Sequence, residues 1–305
     1  MAFRFKDTLP RELTDHVTEI CGEKGEAWFE RLPGVIAELE TEWSIRVGNP
    51  FPGIEYNFVA EAADRDGVPV VLKIAPPFET IEIFAEAKYL RLHEGRGAVR
   101  LLAEDRRRKA IMIERAVPGK ALYQHFDSDP MSCIAPAIDV LKAILQPAPA
   151  DMSDVPTLRG WFDNFRAYRE TEFPAALAEQ ALAIYDRLSR QPGRTFYIHG
   201  DYHPGNIVSG TREAFQIIDP KGIVGEFGYD IAVFLINLER WQHTNPDLKY
   251  LLAKAVSAFA AAFDISELEI REWVFAHMVI GAWWNFQDMP RLFDAELAMP
   301  AIWHL

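Results

Sequence analysis

Cysteine is almost missing from this chain: Cys21 and Cys133 are the only two in 305 residues. Two widely separated thiols exclude a disulfide framework, and they lack the spacing of a metal-binding knuckle. A surplus of positive charge is missing too. Thirty-two Lys and Arg stand against forty-five Asp and Glu, a formal net charge of −13. Binding to a nucleic-acid backbone needs clustered cations, and the one basic run, Arg106-Arg107-Arg108-Lys109, reads as a solvated hairpin turn. Long apolar runs are absent: "WVFAHMVIGAWW" (273–284) is too short to span a bilayer and suits a buried helix. The opening "MAFRFKDTLPRELTDH" has no apolar signal core, so the expected location is cytoplasmic. Neither repeats nor low-complexity tracts occur.

What is present is an ordinary globular composition, 49% apolar and 25% charged, in a chain long enough for two lobes. Residues 10 to 46 carry apolar residues at three- and four-residue spacing and predict two helices. "YNFVAEAA", the turn "DRDG" and "VPVVLKIAP" then predict a β-hairpin, with Lys73 near the end of its second strand. "EIFAEAKYLRLHEG" is a helix stopped by Gly95, and "AVRLLAED" and "KAIMIERAV" form a second strand pair ending at Pro118-Gly119. Beyond residue 120 the pattern is mainly helical, interrupted by two short strands, "TFYIHGD" and "AFQIIDP". The expected fold class is α+β: a small mixed N-terminal lobe with an antiparallel sheet and a larger, mainly helical C-terminal lobe. We divide it into an N-terminal helical extension of the small lobe (1–47), the small mixed lobe itself (48–113), a hinge (114–119) and the larger helical lobe (120–305).

Chemistry gathers in four places. Lys73 closes a strand, Glu86 lies on the next helix, "HGDYHPGN" supplies Asp201 and Asn206, and Asp219 ends the apolar strand "FQII". Each has a plain alternative: an exposed strand-end lysine, a surface glutamate, a decorated loop, an Asp-Pro turn. Together they satisfy phosphoryl transfer from ATP. A Lys–Glu pair holds the α- and β-phosphates, one Asp accepts the proton of the attacking hydroxyl, and an Asn and a second Asp bind Mg2+. The order Lys, Glu, Asp, Asn, Asp is the order kinases use.

The stretches "HGDYHPGNI", "IIDPKG" and "GYDIAVFLIN" resemble the aminoglycoside phosphotransferase family, small-molecule kinases with a protein-kinase-like two-lobe fold. "GRGAVRLLAEDRRRKAIMIERAVPG" and "IDPKGIVGEFGYD" are similar to its streptomycin 6-kinase and hydroxyurea phosphotransferase branch. The likeness runs from about residue 48 to 290. It implies Asp201 as the catalytic base, with Asn206 and Asp219 as magnesium ligands. Lys73, held by Glu86, would contact the phosphates, and the backbone near Glu114 and Ala116 would receive adenine. Pro220 and Lys221 separate Asp219 from Gly222, unlike the Asp-Phe-Gly triplet of protein kinases but typical of this branch. His199 would brace the loop, His203 would hold its turn, and Asp230 would support it from the N-terminus of the next helix, which it would cap. The segment "GNPFPGIEYNF" (48–58) should cover the phosphates although it has no G-x-G-x-x-G.

The acceptor should be a small molecule bearing a hydroxyl, of a kind that can be cationic; no nucleic acid or membrane partner is expected. Candidates to line its site are Glu239, Trp241, Trp283, Trp284, Asn285 and Asp288, an aromatic and acidic wall suited to a guanidinium or amine. The plain alternative is that at least one of the adjacent tryptophans is core. Two other functions remain open: a kinase-fold enzyme acting on an unrelated metabolite, and a non-catalytic nucleotide-binding protein of the same fold. A protein-substrate kinase is disfavoured, because neither an Ala-Pro-Glu element nor a long activation segment is visible.

Overall fold

In the computed structural model, residues 5–78, 82–148, 152, 155–167, 173–190 and 195–288 are described. The chain divides into two compact units, Met1–Gly119 and Lys120–Leu305.

The first unit begins with helices α1 (Arg11–Cys21) and α2 (Glu23–Trp43). Their apolar residues fall on one face, Leu13 and Val17 on α1, Phe29 and Leu32 on α2, and are buried. Strands β1 (Ile45–Pro50), β2 (Phe58–Asp64) and β3 (Pro69–Ile74) follow, then helix α3 (Glu82–His93) and strands β4 (Leu101–Asp105) and β5 (Ala110–Glu114). The sheet order is β1-β2-β3-β5-β4, and every neighbouring pair is antiparallel. Leu13, Val17, Phe29 and Leu32 share one core with Phe58, Ala60, Leu72 and Ile74 from β2 and β3.

The "DRDG" turn closes on itself, with Asp64 accepting the N–H groups of Asp66 (2.9 Å) and Val68 (2.8 Å) through Oδ1 and Gly67 at φ 79°. Two sequence expectations change here. Residues 48–50 belong to edge strand β1 rather than to a covering loop: Val47 pairs with Ala62 and Pro50 with Ala60 across an irregularity at Gly48 and Asn49, a pairing that comes from β2 and not from local propensity. The basic turn is also not wholly solvated. Arg108 is only 12% exposed in its side chain and pairs with Asp105, Glu38 and Glu42, so the β4–β5 turn is fastened to α2.

The second unit opens with α4 (Leu122–His125), α5 (Ile134–Ile144) and the two-residue strand β6 (Gln146–Pro147). Next come α6 (Leu158–Ala167), α7 (Ala175–Leu188) and strands β7 (Thr195–Ile198), β8 (Ile207–Ser209), β9 (Phe215–Ile217) and β10 (Ile223–Glu226). Helices α8 (Gly228–Trp241), α9 (Leu248–Phe263) and α10 (Glu267–Asp288) complete it. The strands make two small antiparallel sheets, β10-β7-β6 and β8-β9. Sequence reading expects two strands here, and the other three are too short to show a period of two. Helix α8 is buried around most of its circumference, from Gly228 through Ile236. A Cβ on Gly228 would stand 2.4 Å from the Trp273 ring, so the glycine lets α10 approach the start of α8 closely.

Candidate active site

In the first unit, Lys73 and Glu86 meet: Nζ donates to Oε1 at 2.6 Å, with 5% and 3% of each residue exposed. A lysine at a strand end is usually solvated. This one is buried because β3 is the central strand, with β2 and β5 on its two sides, and the carboxylate from α3 makes that burial tolerable. Glu114, the last residue of β5, accepts the Arg100 N–H on Oε2 at 3.0 Å, while its own N–H donates to the Arg100 carbonyl at 2.8 Å. Ala116 lies beyond the strand, where its carbonyl oxygen would stand 2.7 Å from a Cβ on Gly119. Gly119 is at φ 72°, so that turn tolerates glycine best.

In the second unit the loop after β7 is held from several directions. His199 is fully buried; its Nδ1 accepts the Asp201 N–H at 3.2 Å and its Nε2 faces the Ile218 carbonyl at 3.0 Å. Because Nδ1 is an acceptor, the ring proton is on Nε2, and both nitrogens are engaged. The ring therefore ties the backbone of Asp201 to the residue just before Asp219, which leaves it no lone pair for abstracting a proton. The His199 carbonyl accepts the N–H groups of Lys221 (2.8 Å) and Gly222 (3.2 Å), closing the turn that carries Asp219. Gly200 has φ 81°, and a Cβ there would lie 3.1 Å from that of Lys221.

Asp201 keeps 37% of its side chain exposed. Asn206 donates Nδ2 to the Asp201 carbonyl at 3.1 Å, and the Ile218 N–H donates to the Asn206 carbonyl at 2.9 Å. His203 folds back on the turn, its Nδ1 accepting the Gly205 N–H at 3.0 Å and its Nε2 3.9 Å from Asp201 Oδ1. A Cβ on Gly205 would be 2.8 Å from that ring, so the Pro204-Gly205 pair makes room for the histidine. Asp219 is exposed and sits at φ 56°, the left-handed region that Asp tolerates better than most residues.

Asp230 is 1% exposed and accepts two loop N–H groups, His199 on Oδ2 (2.9 Å) and Gly200 on Oδ1 (2.8 Å). It does not cap its own helix. Phe227 occupies the cap position without a side-chain hydrogen bond, and the Asp230 carboxylate is spent on the loop instead. Burial pushes its carboxyl up to about 7, outweighing the two donors.

The proposed acceptor-lining residues differ in exposure and in what they pack against. Trp283 is 5% exposed and packs on Phe165, so it belongs to the core and not to a wall. Trp284 and Asn285 are half-buried, and Trp284 meets Trp161 edge-to-face at 5.3 Å. Adjacent helical residues point about 100° apart, so only one of two neighbouring tryptophans can share a given face. Glu239 is buried, while Trp241 meets Tyr123 with ring centroids 6.4 Å apart. Asp288 ends α10, and its side chain lies outside the described residues.

Sequence reading misses Trp161, Tyr229 and His277. Tyr229 is fully buried, with its ring 6.0 Å from Trp161 and its hydroxyl 2.9 Å from His277 Nδ1. Burial first, then the charges of Asp201 and Asp230, push the Tyr229 phenol well above its ordinary range. The available signal was "GYD", in which the tyrosine adjoins the loop-holding aspartate.

The family model described as aminoglycoside/hydroxyurea antibiotic resistance kinase matches residues 53–289. The chain belongs to this family. It is a phosphotransferase acting on an alcohol group and has a protein-kinase-like fold. A streptomycin 6-kinase of Streptomyces glaucescens is 28% identical over 296 residues, covering 92% of this chain and 91% of that one. A hydroxyurea phosphotransferase of Kitasatospora aureofaciens is 27% identical and covers 96% and 82%. Among solved structures, an amicoumacin kinase in complex with AMP-PNP and Ca2+ shares the fold with TM-score 0.64 at 16% identity, covering 92% and 94%. The aminoglycoside phosphotransferase APH(4)-Ia with ADP and hygromycin B gives TM-score 0.61 at 14% identity, covering 88% and 97%. No described helix is long and apolar enough to cross a membrane.

Proposed function

We propose that this kinase uses ATP and Mg2+ to phosphorylate a hydroxyl of a small aminoglycoside-like, streptomycin-type or hydroxyurea-like acceptor. The observation that carries the reading is the double tether of the 199–206 loop. His199 and Asp230 fix its backbone while the Asp201 carboxylate stays accessible. A general base must be held rigidly yet reachable by its proton donor, and this loop meets both requirements.

The donor set suits magnesium. Asn206 commits its NH2 to a backbone carbonyl, which leaves the amide oxygen as its ligating atom, and Asp219 adds a carboxylate. Among the described residues no cluster of three or more His, Cys, Asp or Glu could hold a metal. Magnesium is ordinarily bound through one or two protein oxygens, the remaining positions going to water and phosphate. When bound, the ion would neutralise charge on the phosphates. Lys73, paired with Glu86, would hold the α- and β-phosphates, and Glu114 and Ala116 would offer backbone groups to adenine. The intact set Lys73, Asp201, Asn206 and Asp219 favours turnover over a binding protein that has lost catalysis.

The test is to incubate the protein with Mg-ATP and streptomycin or hydroxyurea and seek a phosphorylated acceptor by mass spectrometry. Asp201→Asn should lower kcat by at least about a hundredfold, the scale of a lost general base, while nucleotide affinity holds. An Asp201→Asn variant with undiminished turnover would falsify the assignment of the base.

A further inference from the structure

Helix α10 places His277, Gly281 and Trp284 on one face, since residues four and three apart stack along a helix. A glycine inside a helix costs roughly 0.5–1 kcal/mol relative to alanine. At Gly281 it leaves the face without a side chain between two rings. At 1.5 Å per residue the backbone positions of His277 and Trp284 are about 10 Å apart along the axis, with no side chain of α10 between them on that face. Trp161 of α6 stands edge-on to Trp284 at 5.3 Å and 6.0 Å from Tyr229, so the two helices share one aromatic corner.

The polar edge of this corner is defined by hydrogen bonding. The buried Tyr229 hydroxyl lies 2.9 Å from His277 Nδ1, and the two rings are 5.0 Å apart and perpendicular. His277 Nδ1 is the one acceptor facing the buried Tyr229 hydroxyl among the described residues, so the phenol donates its proton there, Nδ1 accepts and Nε2 carries the imidazole hydrogen. Burial and the nearby Arg240 push His277 down to about 3, consistent with an uncharged ring. Nε2 takes no hydrogen bond among the described residues, and His277 is half-buried. The result is an N–H donor of fixed tautomer. It hangs on Tyr229, whose neighbour Asp230 grips the two residues preceding Asp201.

We propose that His277 is an acceptor-positioning residue: its Nε2–H donates to a hydroxyl oxygen of a cyclic polyol whose C–H face lies on Trp284 and Trp161. This rests on the kinase reading above and sharpens its substrate class. A neutral donor beside flat apolar walls matches a cyclitol or sugar ring, which presents hydroxyls at its rim and C–H bonds on its faces. A short ringless molecule such as hydroxyurea could not reach the histidine and the tryptophans together.

The experiment compares wild type with His277→Phe, His277→Gln, Trp284→Ala and Gly281→Met, using streptomycin as the cyclitol-bearing probe and hydroxyurea as the ringless one. The expected result is a five- to tenfold rise in streptomycin KM for His277→Phe, the scale of one hydrogen bond, with the ATP KM unchanged. His277→Gln, which keeps an N–H donor, should recover most of that loss. Trp284→Ala and Gly281→Met should weaken streptomycin alone. Binding without turnover is read from the change in tryptophan fluorescence as streptomycin is added, which Trp284→Ala should diminish. Thermal melting separates a misfolded variant from a misplaced acceptor.

An unchanged streptomycin KM in His277→Phe overturns the proposal and leaves the kinase reading intact. So does hydroxyurea phosphorylation by a wild type that neither binds nor phosphorylates streptomycin. A rise in both the ATP and streptomycin KM values without glutamine rescue makes His277 merely structural and equally overturns it. If wild type phosphorylates neither probe, the acceptor reading itself fails and takes the proposal with it.

Discussion

At the residue scale, the loop after β7 owes its geometry to buried groups that hydrogen-bond its backbone. Asp230 is the clearest case. Its carboxyl is pushed up to about 7 by burial, whereas in an unfolded chain it ionises near 4. Between about pH 4 and 7 the folded protein keeps a proton that the unfolded chain has lost. This group therefore removes stability as pH rises through that window and has no further effect above it. Asp230→Asn cannot ionise, so the melting temperature of wild type minus that of the variant should shrink from pH 4.5 to 7.5. A difference that widens would contradict the burial argument. Lys73 and Glu86 offer a second test. Removing one partner of a buried pair typically costs ~3–5 kcal/mol, because the other charge is left uncompensated. Denaturant titration of Lys73→Met should show a loss of that order, and the double variant Lys73→Met, Glu86→Leu should regain much of it.

At the element scale, α8 is the hub of the second unit. Its first turn supplies Tyr229 and Asp230, and its start is set by contact with Trp273 of α10. Gly228→Ala would place a methyl group 2.4 Å from that ring, a clash that a rigid indole cannot relieve by rotation. The expected cost is ~1–3 kcal/mol, the usual penalty for overpacking. Because the same shift moves Asp230, kcat should fall along with stability. A variant that melts earlier but turns over normally would show that the loop tolerates movement of α8.

At the scale of the whole molecule, ligand binding and folding are linked, since a ligand that binds only the native state stabilises it. Mg-ATP at about a hundred times its Kd should stabilise the protein by ~2.7 kcal/mol, visible as a rise in melting temperature. Asp219→Ala should lose most of that rise when magnesium is present and change little when nucleotide is added with EDTA. Equal losses in both buffers would remove Asp219 from the metal site.

How much of this was legible beforehand follows from the range of the interactions involved. Chemistry written in adjacent residues was readable: "HGDYHPGN" and "IIDP" place Asp201, Asn206 and Asp219 on loops after short strands, and helix and hairpin periods mark α1, α2, β2, β3 and α3. Lys73 and Glu86 were readable as candidates from their positions on a strand and the following helix. Their burial, however, depends on β3 being the central strand. Strands β1, β6, β8 and β10 were not readable, because pieces of two to six residues acquire their form from partners distant in sequence. Nor could the sequence separate Trp283 from Trp284, or place His277 on Tyr229, 48 residues away. The sequence alone determined the reaction class, since phosphoryl transfer requires particular charged groups in a particular order. Which aromatic residues are core and which form a corner beside Tyr229 was decided only by tertiary packing, because side-chain exposure is a property of neighbours that local sequence does not specify.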